Sequence, residues 1–454
     1  MTKISIRNIT SNPLKLVQCD RFTGTKEPTG TTLGNVVGTF SSFLNATEFS
    51  RSQLIISTSA TSKLSHSVAL DIPAFESRPT DIPVPDKPTH EVLRLVFEHA
   101  GKRYAVDVPG PTKKSSELTS LDGGDLRMTA VYVRASGLVA LLSSAELHRW
   151  MGEVPDDVLL TRLSIPGTHN SPTCYVALPS VRCQVVDIAE QLANGVRFLD
   201  IRVSVDRDRD DLVLVHSVFP ISLTGSKYFH DMLEPIYDFL ERNPSETVIM
   251  SVKREGTGKG SDGDLGRHLH TRYIPAKPER WWTESRMPRL GEVRGKILLM
   301  SRFGPQQEHH GRCGMQASPW PDNCEDALAA GGLVRVQDFY EVSESKNIEK
   351  KHAYSCAHLE RAAERDGDGE HVFVNFLTAS NFFNASCWPE RIAAKLNPSV
   401  IEYLCECHGI AGKGPKQLGV GDGATGIVVT DWVGAHGNWD LVRCVVGMNA
   451  RLRR

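Results

Sequence analysis

The chain has 454 residues, of which 40% are apolar and 23% are charged, with a formal net charge of −2 and a pI near 6.8. This near-neutral balance lacks the basic footprint of a nucleic-acid-binding protein and gives no general attraction to an anionic membrane. The length is sufficient for two or three domains with a large buried core.

The N-terminal residues MTKISIRNITSNP contain no continuous apolar run, so the sequence predicts no secretory signal peptide there. No window of the chain has the roughly 18 apolar residues that a membrane-spanning helix needs. We therefore expect a cytoplasmic protein, with export by an unconventional route as the alternative. If it acts on lipid, it approaches from the aqueous side.

The ten cysteines predict neither a zinc site nor a disulfide framework. They are scattered along the chain, no C-x-x-C pair occurs, and only Cys405 and Cys407 lie close together. We expect mostly reduced, buried thiols, with one or two structural disulfides as the alternative.

Residues 1–140 have the pattern of β-strands and predict a β-sandwich-like domain. Extended segments bounded by turn residues are expected at Ser5–Ile9, at Val92–Val108 with a hairpin turn at Ala100-Gly101, and at Leu126–Val133. The stretch from Ile72 to Thr89 is rich in proline and aspartate and is expected to be a loop.

We expect this first domain to be a membrane-, glycan- or partner-binding module, because a lipid-cleaving enzyme gains from being held near its interface. A packing domain without a ligand is the alternative. Phe40, Phe43 and Phe49 are candidate membrane anchors, although aromatic residues in such a domain are more often part of the core.

Residues 141–454 alternate apolar runs with helical patterns, which predicts an irregular TIM-type (β/α) barrel. The predicted strands are Leu163–Ile165, Val196–Val205, Leu212–His216, Val248–Val252, Ile297–Met300, Val334–Gln337, Val372–Phe376 and Ile427–Thr430. A helix is predicted over Asp187–Asn194. A second, amphipathic helix begins near Phe229 and ends at Asn243-Pro244, because proline disfavours a helical conformation of the residue before it.

In a barrel of this kind the residues that carry chemistry collect at the C-terminal ends of the strands. The polar residues that follow the predicted strands are His169, Asn170, Asp200, Arg202, His216, Lys253, Arg302, Asp338, Tyr340 and Asp431. Taken singly, each is more often a structural histidine, a salt-bridge member or a helix cap. Gathered at one mouth they would cost desolvation energy unless they pair or bind a charged ligand. The set favours an anion such as a phosphate diester.

Two histidines with an arginine between them in sequence suit in-line phosphoryl transfer. One histidine takes a proton from the attacking hydroxyl and the other gives a proton to the leaving oxygen, since free histidine titrates near about 6.5. The arginine offers paired hydrogen bonds to the non-bridging oxygens. An aspartate behind a histidine fixes its tautomer and favours its charged form.

From about Leu159 to Trp432 the chain resembles the catalytic domain of the bacterial-type phosphatidylinositol-specific phospholipases C. The segments that carry the resemblance are, in chain order, IPGTHNS, FLDIRV, LVLVHS, ETVIMSVKRE, RGKILLMSRF, WPDN, VQDFY, HVFVNFLTAS and VTDW. The resemblance implies an irregular TIM-type barrel that acts on phosphatidylinositol at a membrane surface through peripheral contact. No nucleic-acid partner is implied.

The resemblance also implies a role for each matched residue. His169 resembles the general base that deprotonates the inositol 2-hydroxyl, and Asp431 resembles the carboxylate paired with it. The hydroxyl then closes a 1,2-cyclic phosphate, and His216 resembles the general acid that protonates the leaving diacylglycerol. Arg202 resembles the arginine that stabilises the phosphate charge, with Asp200 as its companion.

The groups that resemble contacts to the inositol ring are Lys253, Arg302, Asp338 and Tyr340, with Trp320 and Asn170 as further substrate contacts. Calcium-dependent relatives have an acidic residue at the position of Arg202, so the resemblance implies that no metal and no other cofactor is needed. One departure is Asn170, since bacterial enzymes usually have an aspartate there that supports the general acid. This change predicts some loss of rate or a changed pH optimum.

Two alternatives to this function stay open. A different phosphodiesterase on the same barrel could cleave a glycosylated inositol lipid or another headgroup, because loops decide specificity. The barrel could instead be a phosphoinositide-binding module with weak or no turnover, which Asn170 alone favours.

Overall fold

The computed structural model describes residues 2–28, 52–56, 62–86, 90–110, 114–178, 180–206, 208–256, 260–304, 312–364 and 371–453. The chain forms two compact units that meet in sequence at Ser144 and Ala145. The candidate anchors Phe40, Phe43 and Phe49 lie outside the described residues.

The N-terminal unit is built from strands alone within its described residues. Its strands are β1 Lys3–Asn8, β2 Leu14–Thr23, β3 Thr25–Pro28, β4 Ser52–Ile55, β5 Leu64–Ile72, β6 Ser77–Pro83, β7 Glu91–His99, β8 Lys102–Val108, β9 Ser115–Glu117, β10 Thr119–Ser120, β11 Met128–Val133 and β12 Leu138–Ser143. Two five-stranded sheets, ordered β6-β1-β12-β11-β9 and β10-β8-β7-β2-β5, share one buried apolar cluster. The predicted hairpin at Ala100-Gly101 joins β7 to β8.

The expectation of a loop over Ile72–Thr89 is wrong in its middle part. Residues Ser77–Pro83 form β6, which pairs antiparallel with β1 at the edge of its sheet. An edge strand tolerates proline because its outward N–H positions need no partner strand, so Pro79 and Pro83 do not prevent pairing.

The C-terminal unit alternates strands with helices. Its strands are β13 Ile165–Thr168, β14 Phe198–Asp206, β15 Asp211–His216, β16 Phe219–Pro220, β17 Val248–Arg254, β18 Trp281–Trp282, β19 Ile297–Arg302, β20 Met315–Gln316, β21 Ala327–Leu328, β22 Val334–Gln337, β23 Val372–Phe376 and β24 Ile427–Thr430. Its α-helices are α1 Ile188–Ala193, α2 Phe229–Arg242, α3 Asp262–His268, α4 Ile274–Ala276, α5 Leu290–Val293, α6 Ser345–Glu364, α7 Pro389–Glu406 and α8 Asp440–Gly447. Short 3₁₀ turns at Leu147–Glu153, Leu160–Arg162, Pro278–Arg280, Ala385–Cys387, Ala435–Gly437 and Met448–Leu452 and one π-turn at Leu269–Tyr273 complete it.

The main sheet runs β18-β19-β17-β14-β13-β24-β23-β22-β21, and the long neighbours along it are parallel. The predicted α/β architecture is confirmed, but the sheet is a curled half-barrel and not a clear closed barrel. The strands at the two ends of this sheet, β18, β20 and β21, have two residues each. Within the described residues, no hydrogen-bonded strand pair joins one end of the sheet to the other.

The strand that ends in His216 does not belong to the parallel set. β15 runs antiparallel to β14, with Val203 opposite Leu214. β14 therefore continues past the last residues that pair with β13 and β17, and β15 runs back along it. This brings His216, at the end of β15, towards Asp200 and Arg202. The parallel order expected for this strand is wrong, although its position beside the other polar residues is not.

Helix α2 confirms the amphipathic pattern read from the sequence. Its buried face is formed by Phe229, Met232, Leu233, Ile236, Tyr237, Phe239 and Leu240. The helix ends at Arg242, with Asn243 as its cap before Pro244, as expected from proline's effect on the preceding residue. Burying each large apolar side chain of this face contributes about 1.5–3 kcal/mol.

Among the described residues no helix combines the length and the apolar character that a bilayer crossing requires. All ten cysteines lie in the described residues, and their reduced state stays a prediction. Seven of them are buried and three are partly exposed.

Candidate active site

His169 and Asp431 meet because they follow directly on neighbouring parallel strands. β13 and β24 pair Thr168 with Thr430, and the His169 N–H donates to the Thr430 carbonyl at 3.0 Å. The His169 Nδ1 then lies 2.9 Å from Asp431 Oδ1. An aspartate that accepts from Nδ1–H leaves Nε2 with a free lone pair, which is the form that a general base requires.

Buried groups hold this pair in place. The Gln184 side-chain amide donates to the carbonyl oxygens of His169 and Thr430, both at 2.9 Å. Asp431 is almost fully buried, and burial raises the pKa of its carboxyl although His169 lowers it. The dyad is therefore fixed at the end of the sheet rather than on a free loop.

His216 faces His169 across the site. Their ring centroids lie 5.6 Å apart with the planes nearly perpendicular. The His216 Nδ1 donates to the Val181 carbonyl at 2.8 Å, so its Nε2 is directed elsewhere. Burial, with His169 and Arg202 nearby, lowers the pKa of His216 to about 4, and the free site therefore holds this ring neutral at pH 7.

Arg202 is clamped between two carboxylates. Its guanidinium lies 3.0 Å from Asp200 and donates to Glu255 at 2.9 Å. Burial opposes the charge of Arg202, but Asp200 and Glu255 outweigh it and raise the pKa of the guanidinium further above its ordinary value. Asp200 is fully buried; burial alone would raise its pKa, but Arg202 and Arg302 hold that pKa well below its usual range.

Glu255 is a site residue that the sequence reasoning did not select. Its carboxylate also lies 3.3 Å from the Lys253 ammonium and accepts from the Ser217 N–H at 2.6 Å. A signal was present, because residues two apart on a strand point to the same face and Lys253 and Glu255 are two apart. Burial lowers the pKa of Lys253, and Arg202 and Arg302 lower it further.

Arg302 links Asp200 to the residues expected to bind the inositol ring. Its guanidinium lies 3.3 Å from Asp200 and 3.9 Å from Asp338, and it stacks 3.5 Å from the ring centroid of Trp320. Stacking on an indole face and paired contacts with carboxylates both suit a planar guanidinium. Arg302, Asp338 and Trp320 are thus brought together.

Tyr340, another residue expected to bind the ring, is held by the segment that follows Trp320. Its hydroxyl donates to Asp322 at 2.7 Å, and its N–H donates to the Asn323 side chain at 2.9 Å. Burial raises the pKa of Tyr340, and Asp322 raises it further. The motif that supplies Trp320 therefore also orients Tyr340.

Asn170 is fully buried in a left-handed backbone conformation, with φ of 38°. Its N–H donates to Asp200 at 3.1 Å and its side-chain Nδ2 donates weakly to the Val215 carbonyl at 3.4 Å. Its Oδ1 is buried without a hydrogen-bond partner among the described residues. The Nδ1 of His216 donates to the Val181 carbonyl and not to residue 170. In this structure, therefore, Val181 orients His216.

Cys183 lies beneath the two histidines and was not selected from the sequence. Its Sγ is 3.7 Å from His216 Nδ1, and donor atoms of His169, Cys183 and His216 all lie within 4.8 Å of one another. These are ligand types that zinc accepts. Burial raises the pKa of the Cys183 thiol well above its ordinary value, and Arg202 places a positive charge nearby.

Comparisons with known proteins identify relatives of this chain. Residues 159–303 match the family model described as phosphatidylinositol-specific phospholipase C, X domain. The chain is 35% identical over 274 residues to 1-phosphatidylinositol phosphodiesterase of Listeria monocytogenes, covering 58% of this chain and 77% of that protein. It is 28% identical over 296 residues to the protein of the same name from Staphylococcus aureus, covering 61% of this chain and 89% of that one.

Solved structures give the same result for the fold. A phosphatidylinositol-specific phospholipase C from Staphylococcus aureus is similar with a TM-score of 0.54 at 24% identity, over 67% of this chain and 98% of that chain. The enzyme from Listeria monocytogenes is similar with a TM-score of 0.50 at 22% identity, over 67% of this chain and 99% of that chain. At these identities the likeness concerns the fold alone.

Proposed function

This chain belongs to the phosphatidylinositol-specific phospholipase C family, and from that premise we propose that it cleaves phosphatidylinositol to diacylglycerol and inositol 1,2-cyclic phosphate. The observation that carries the proposal is the His169–Asp431 pair, 2.9 Å apart, which faces His216 with Arg202 beside them. Two histidines and one guanidinium supply what an internal phosphodiester transfer needs.

In the proposed reaction the His169 Nε2 takes the proton of the inositol 2-hydroxyl. The oxygen attacks phosphorus, the new P–O bond closes the cyclic phosphate, and the bond from phosphorus to the glycerol oxygen breaks. His216, which gains a second proton when substrate binds, gives its Nε2 proton to that oxygen, so diacylglycerol leaves as a neutral alcohol. Arg202 donates hydrogen bonds to the non-bridging oxygens, where charge develops in the transition state.

We propose that Lys253, Arg302, Asp338 and Tyr340 bind the inositol ring hydroxyls, with Trp320 and Asn170 as further contacts. Arg302 held against Asp200 and Trp320 supports this assignment, since a preorganised guanidinium loses little entropy on binding. We also propose that no metal is required. Arg202 already provides a fixed positive charge between Asp200 and Glu255, where a cation would otherwise compete for the same carboxylates.

We propose that the catalytic region spans residues 141–454 and contacts the bilayer through an apolar rim. The rim consists of exposed side chains on loops beside the site, namely Val176, Leu178, Val218, Leu223, Phe382 and Phe383. Phe383 is 95% exposed, which is unusual for a large aromatic residue. Contiguous exposed apolar surface marks an interaction site.

Contacts among the rim loops support one continuous surface at the mouth. Val218 stands two residues after His216, and the Phe219 and Phe382 rings stack with centroids 5.7 Å apart. The Leu223 N–H donates to the Val176 carbonyl at 3.0 Å. The whole chain has a net charge of −2, which gives no general attraction to an anionic membrane. The occupant that suits this surface is therefore a bilayer that the apolar side chains enter.

We propose a membrane- or partner-binding role for residues 1–140. The two sheets of this unit share one apolar core, and none of the site residues above belongs to the unit. Removing a module that raises local concentration lowers activity on vesicles more than activity on dispersed substrate.

The proposed activity is tested by incubating the protein with phosphatidylinositol vesicles in excess chelator and following inositol 1,2-cyclic phosphate by phosphorus NMR. We expect cyclic product from the wild type and a loss of about 10³-fold or more from His169→Ala, the scale seen when a general base is removed. Product only after calcium is added contradicts the role given to Arg202. Binding without product in either condition favours the binding-module reading, and cleavage of a glycosylated inositol lipid alone changes the headgroup.

The rim is tested with Phe383→Ser, using Leu328→Ser as a control because Leu328 is an exposed leucine of β21 that is not part of the rim. We expect sedimentation with neutral phosphatidylcholine vesicles to weaken by about fivefold or more for Phe383→Ser, because about 1 kcal/mol or more of apolar transfer energy is lost. The ratio of activity on vesicles to activity on short-chain dispersed substrate should fall with it. Unchanged vesicle binding by Phe383→Ser would contradict the proposal that the rim contacts the bilayer.

A further inference from the structure

Lys351 is a buried lysine behind the expected ring-binding side of the site, and the proposed mechanism gives it no task. It lies on α6 with no exposed surface, and its Nζ donates to Gln337 Oε1 at 2.9 Å. No ion pair is recorded for it in the described part of the chain. The ionisable groups that face it are Asp338 after β22, Cys324 before β21 and Asp431 after β24.

A buried ammonium with a neutral partner destabilises the fold, because its lost hydration is not recovered by an opposite charge in contact. Burial lowers the pKa of Lys351 to about 7, although Asp338 and Asp431 act to raise it. A methionine of similar length would fill the same space without this cost. A purely structural role therefore does not explain the lysine.

The side-chain amide of Gln337 connects Lys351 to the residues at the ends of two strands. Its Oε1 accepts from both Lys351 Nζ and the Phe339 N–H, at 2.9 and 2.7 Å. Its Nε2 donates to Asn375 Oδ1 at 2.8 Å and to the Phe376 carbonyl at 2.9 Å. The ammonium of Lys351 can only donate, so together with the Phe339 N–H it holds Oε1 as the accepting end of the amide. The Nε2 end is then free to donate to Asn375, to Phe376 and, at 3.2 Å, to Ser355 Oγ.

The two strand ends held by this amide carry both sides of the site. Gln337 precedes Asp338, whose carboxylate lies 3.9 Å from Arg302. The rings of Phe376 and His169 pack nearly perpendicular to each other, with centroids 6.2 Å apart. One buried amide thus sets the turn that aims Asp338 and the strand end that backs the general base.

We propose that Lys351 is a positioning residue, which locks the Gln337 amide and so holds Asp338 in the geometry that recognises the inositol ring. This inference rests on the proposed function for its substrate. The lysine touches no substrate and moves no proton in the reaction. Its effect is to keep the turn after β22 in one conformation.

The test compares Lys351→Met with Lys350→Met, an exposed neighbour on the same helix. We expect Lys351→Met to raise KM for phosphatidylinositol about tenfold while kcat changes less than about threefold, because ring recognition is lost and the histidines remain. The Tm of Lys351→Met should equal or exceed that of the wild type. Lys350→Met should match the wild type in each measurement.

The pH dependence of stability follows from linkage. The folded protein binds the Lys351 proton less tightly than the unfolded chain, whose pKa is 10.5, so wild-type stability rises with pH between about 7 and 10.5 and the penalty is full below 7. The Tm advantage of Lys351→Met should therefore be larger at about pH 6 than at about pH 9. A lower Tm for Lys351→Met at both pH values overturns the proposal.

A measurement without substrate separates this inference from the proposed function. Amide hydrogen exchange over residues 337–340 should be faster in Lys351→Met and unchanged in Lys350→Met, since the Phe339 N–H loses its fixed acceptor. If the wild type cleaves no phosphatidylinositol, the proposed function fails, while exchange and Tm still decide the role of Lys351. Unchanged hydrogen exchange in Lys351→Met, or a fall in kcat as large as the rise in KM, overturns the positioning role.

Discussion

Glu255 accepts a hydrogen bond at 2.6 Å from the backbone N–H of Ser217, the residue that directly follows His216. The same carboxylate pairs with Arg202 at 2.9 Å and lies 3.3 Å from the Lys253 ammonium. Burial alone raises the pKa of Glu255, but Arg202 and Lys253 outweigh it and lower that pKa to about 2. One charged carboxylate therefore connects the residue after the proposed general acid to Arg202 and Lys253.

We predict that Glu255→Gln and Glu255→Ala differ in a defined way. Glutamine keeps an acceptor for the Ser217 N–H but loses the charge, so we expect kcat to fall about tenfold, the scale of one charge-assisted hydrogen bond. Alanine loses both and should lower kcat by a further factor of about ten. Steady-state kinetics on phosphatidylinositol measures this, with the exposed Glu279→Gln as control.

Equal rates for Glu255→Gln and Glu255→Ala would mean that the bond to Ser217 does not hold His216. Wild-type rates for both would remove Glu255 from the site altogether. Circular dichroism of each variant distinguishes a local effect from loss of fold.

We predict that His216 gains its proton together with the substrate. Its pKa is about 4 in the free site, where burial, His169 and Arg202 all disfavour the charged ring. A bound phosphodiester anion offsets the charge of Arg202 and so raises the pKa of His216. Because His216 acts in its protonated form, it sets the basic limb, where activity falls as pH rises. This limb should lie near pH 4 in kcat/KM, which reports the free enzyme, and at higher pH in kcat, which reports the complex.

The direct measurement is nitrogen NMR of His216 with and without inositol 1,2-cyclic phosphate. We expect a neutral Nδ1–H tautomer in the free protein at pH 6, since Nδ1 donates to Val181. A His216 signal that titrates near its ordinary value without ligand, with coincident limbs in the two kinetic profiles, contradicts the prediction.

We predict that Asp431→Asn lowers kcat by about 10³-fold or more, as in other sites where an amide replaces the carboxylate behind a catalytic histidine. The amide can donate to Nδ1 and so stabilise the tautomer that carries the proton on Nε2, which leaves His169 without a lone pair for the hydroxyl. KM should change little, because Asp431 contacts His169 and not the ring-binding residues. Initial rates measure the effect, and the exposed Asp208→Asn serves as control. A loss of less than tenfold would assign the base to another group.

We predict that Asn170→Asp destabilises the protein without raising its rate. The substitution removes the Nδ2 donor to the Val215 carbonyl and adds charge to a fully buried position beside Asp200. A buried acceptor without a donor costs about 1–3 kcal/mol in the free energy of unfolding. Urea denaturation measures this, with the exposed Asn438→Asp expected to stay within about 0.5 kcal/mol of the wild type. Unchanged stability with a higher kcat would mean that the new carboxylate supports His216.

The strand pattern and the strand-end residues could be predicted because they depend on local sequence. Apolar runs set the strands from Val248, Ile297, Val334, Val372 and Ile427, and helix α2 followed from its 3.6-residue spacing. His169 and Asp431, separated by 262 residues, meet because the strands before them are parallel neighbours. The expected loop at Ser77–Pro83 failed because proline content does not reveal whether a strand lies at an edge.

The sequence by itself determined which residue types stand at the strand ends and so the chemistry available to the site. Only the tertiary structure decided how they pair: that β15 runs antiparallel and returns His216 to the site, that Glu255 joins Ser217 to Arg202, and that Lys351 is buried against Gln337. The physical reason is that pairing, burial and the resulting pKa shifts depend on distances between residues far apart in the chain. Local propensity carries no information about those distances, which the packing of strands and helices alone sets.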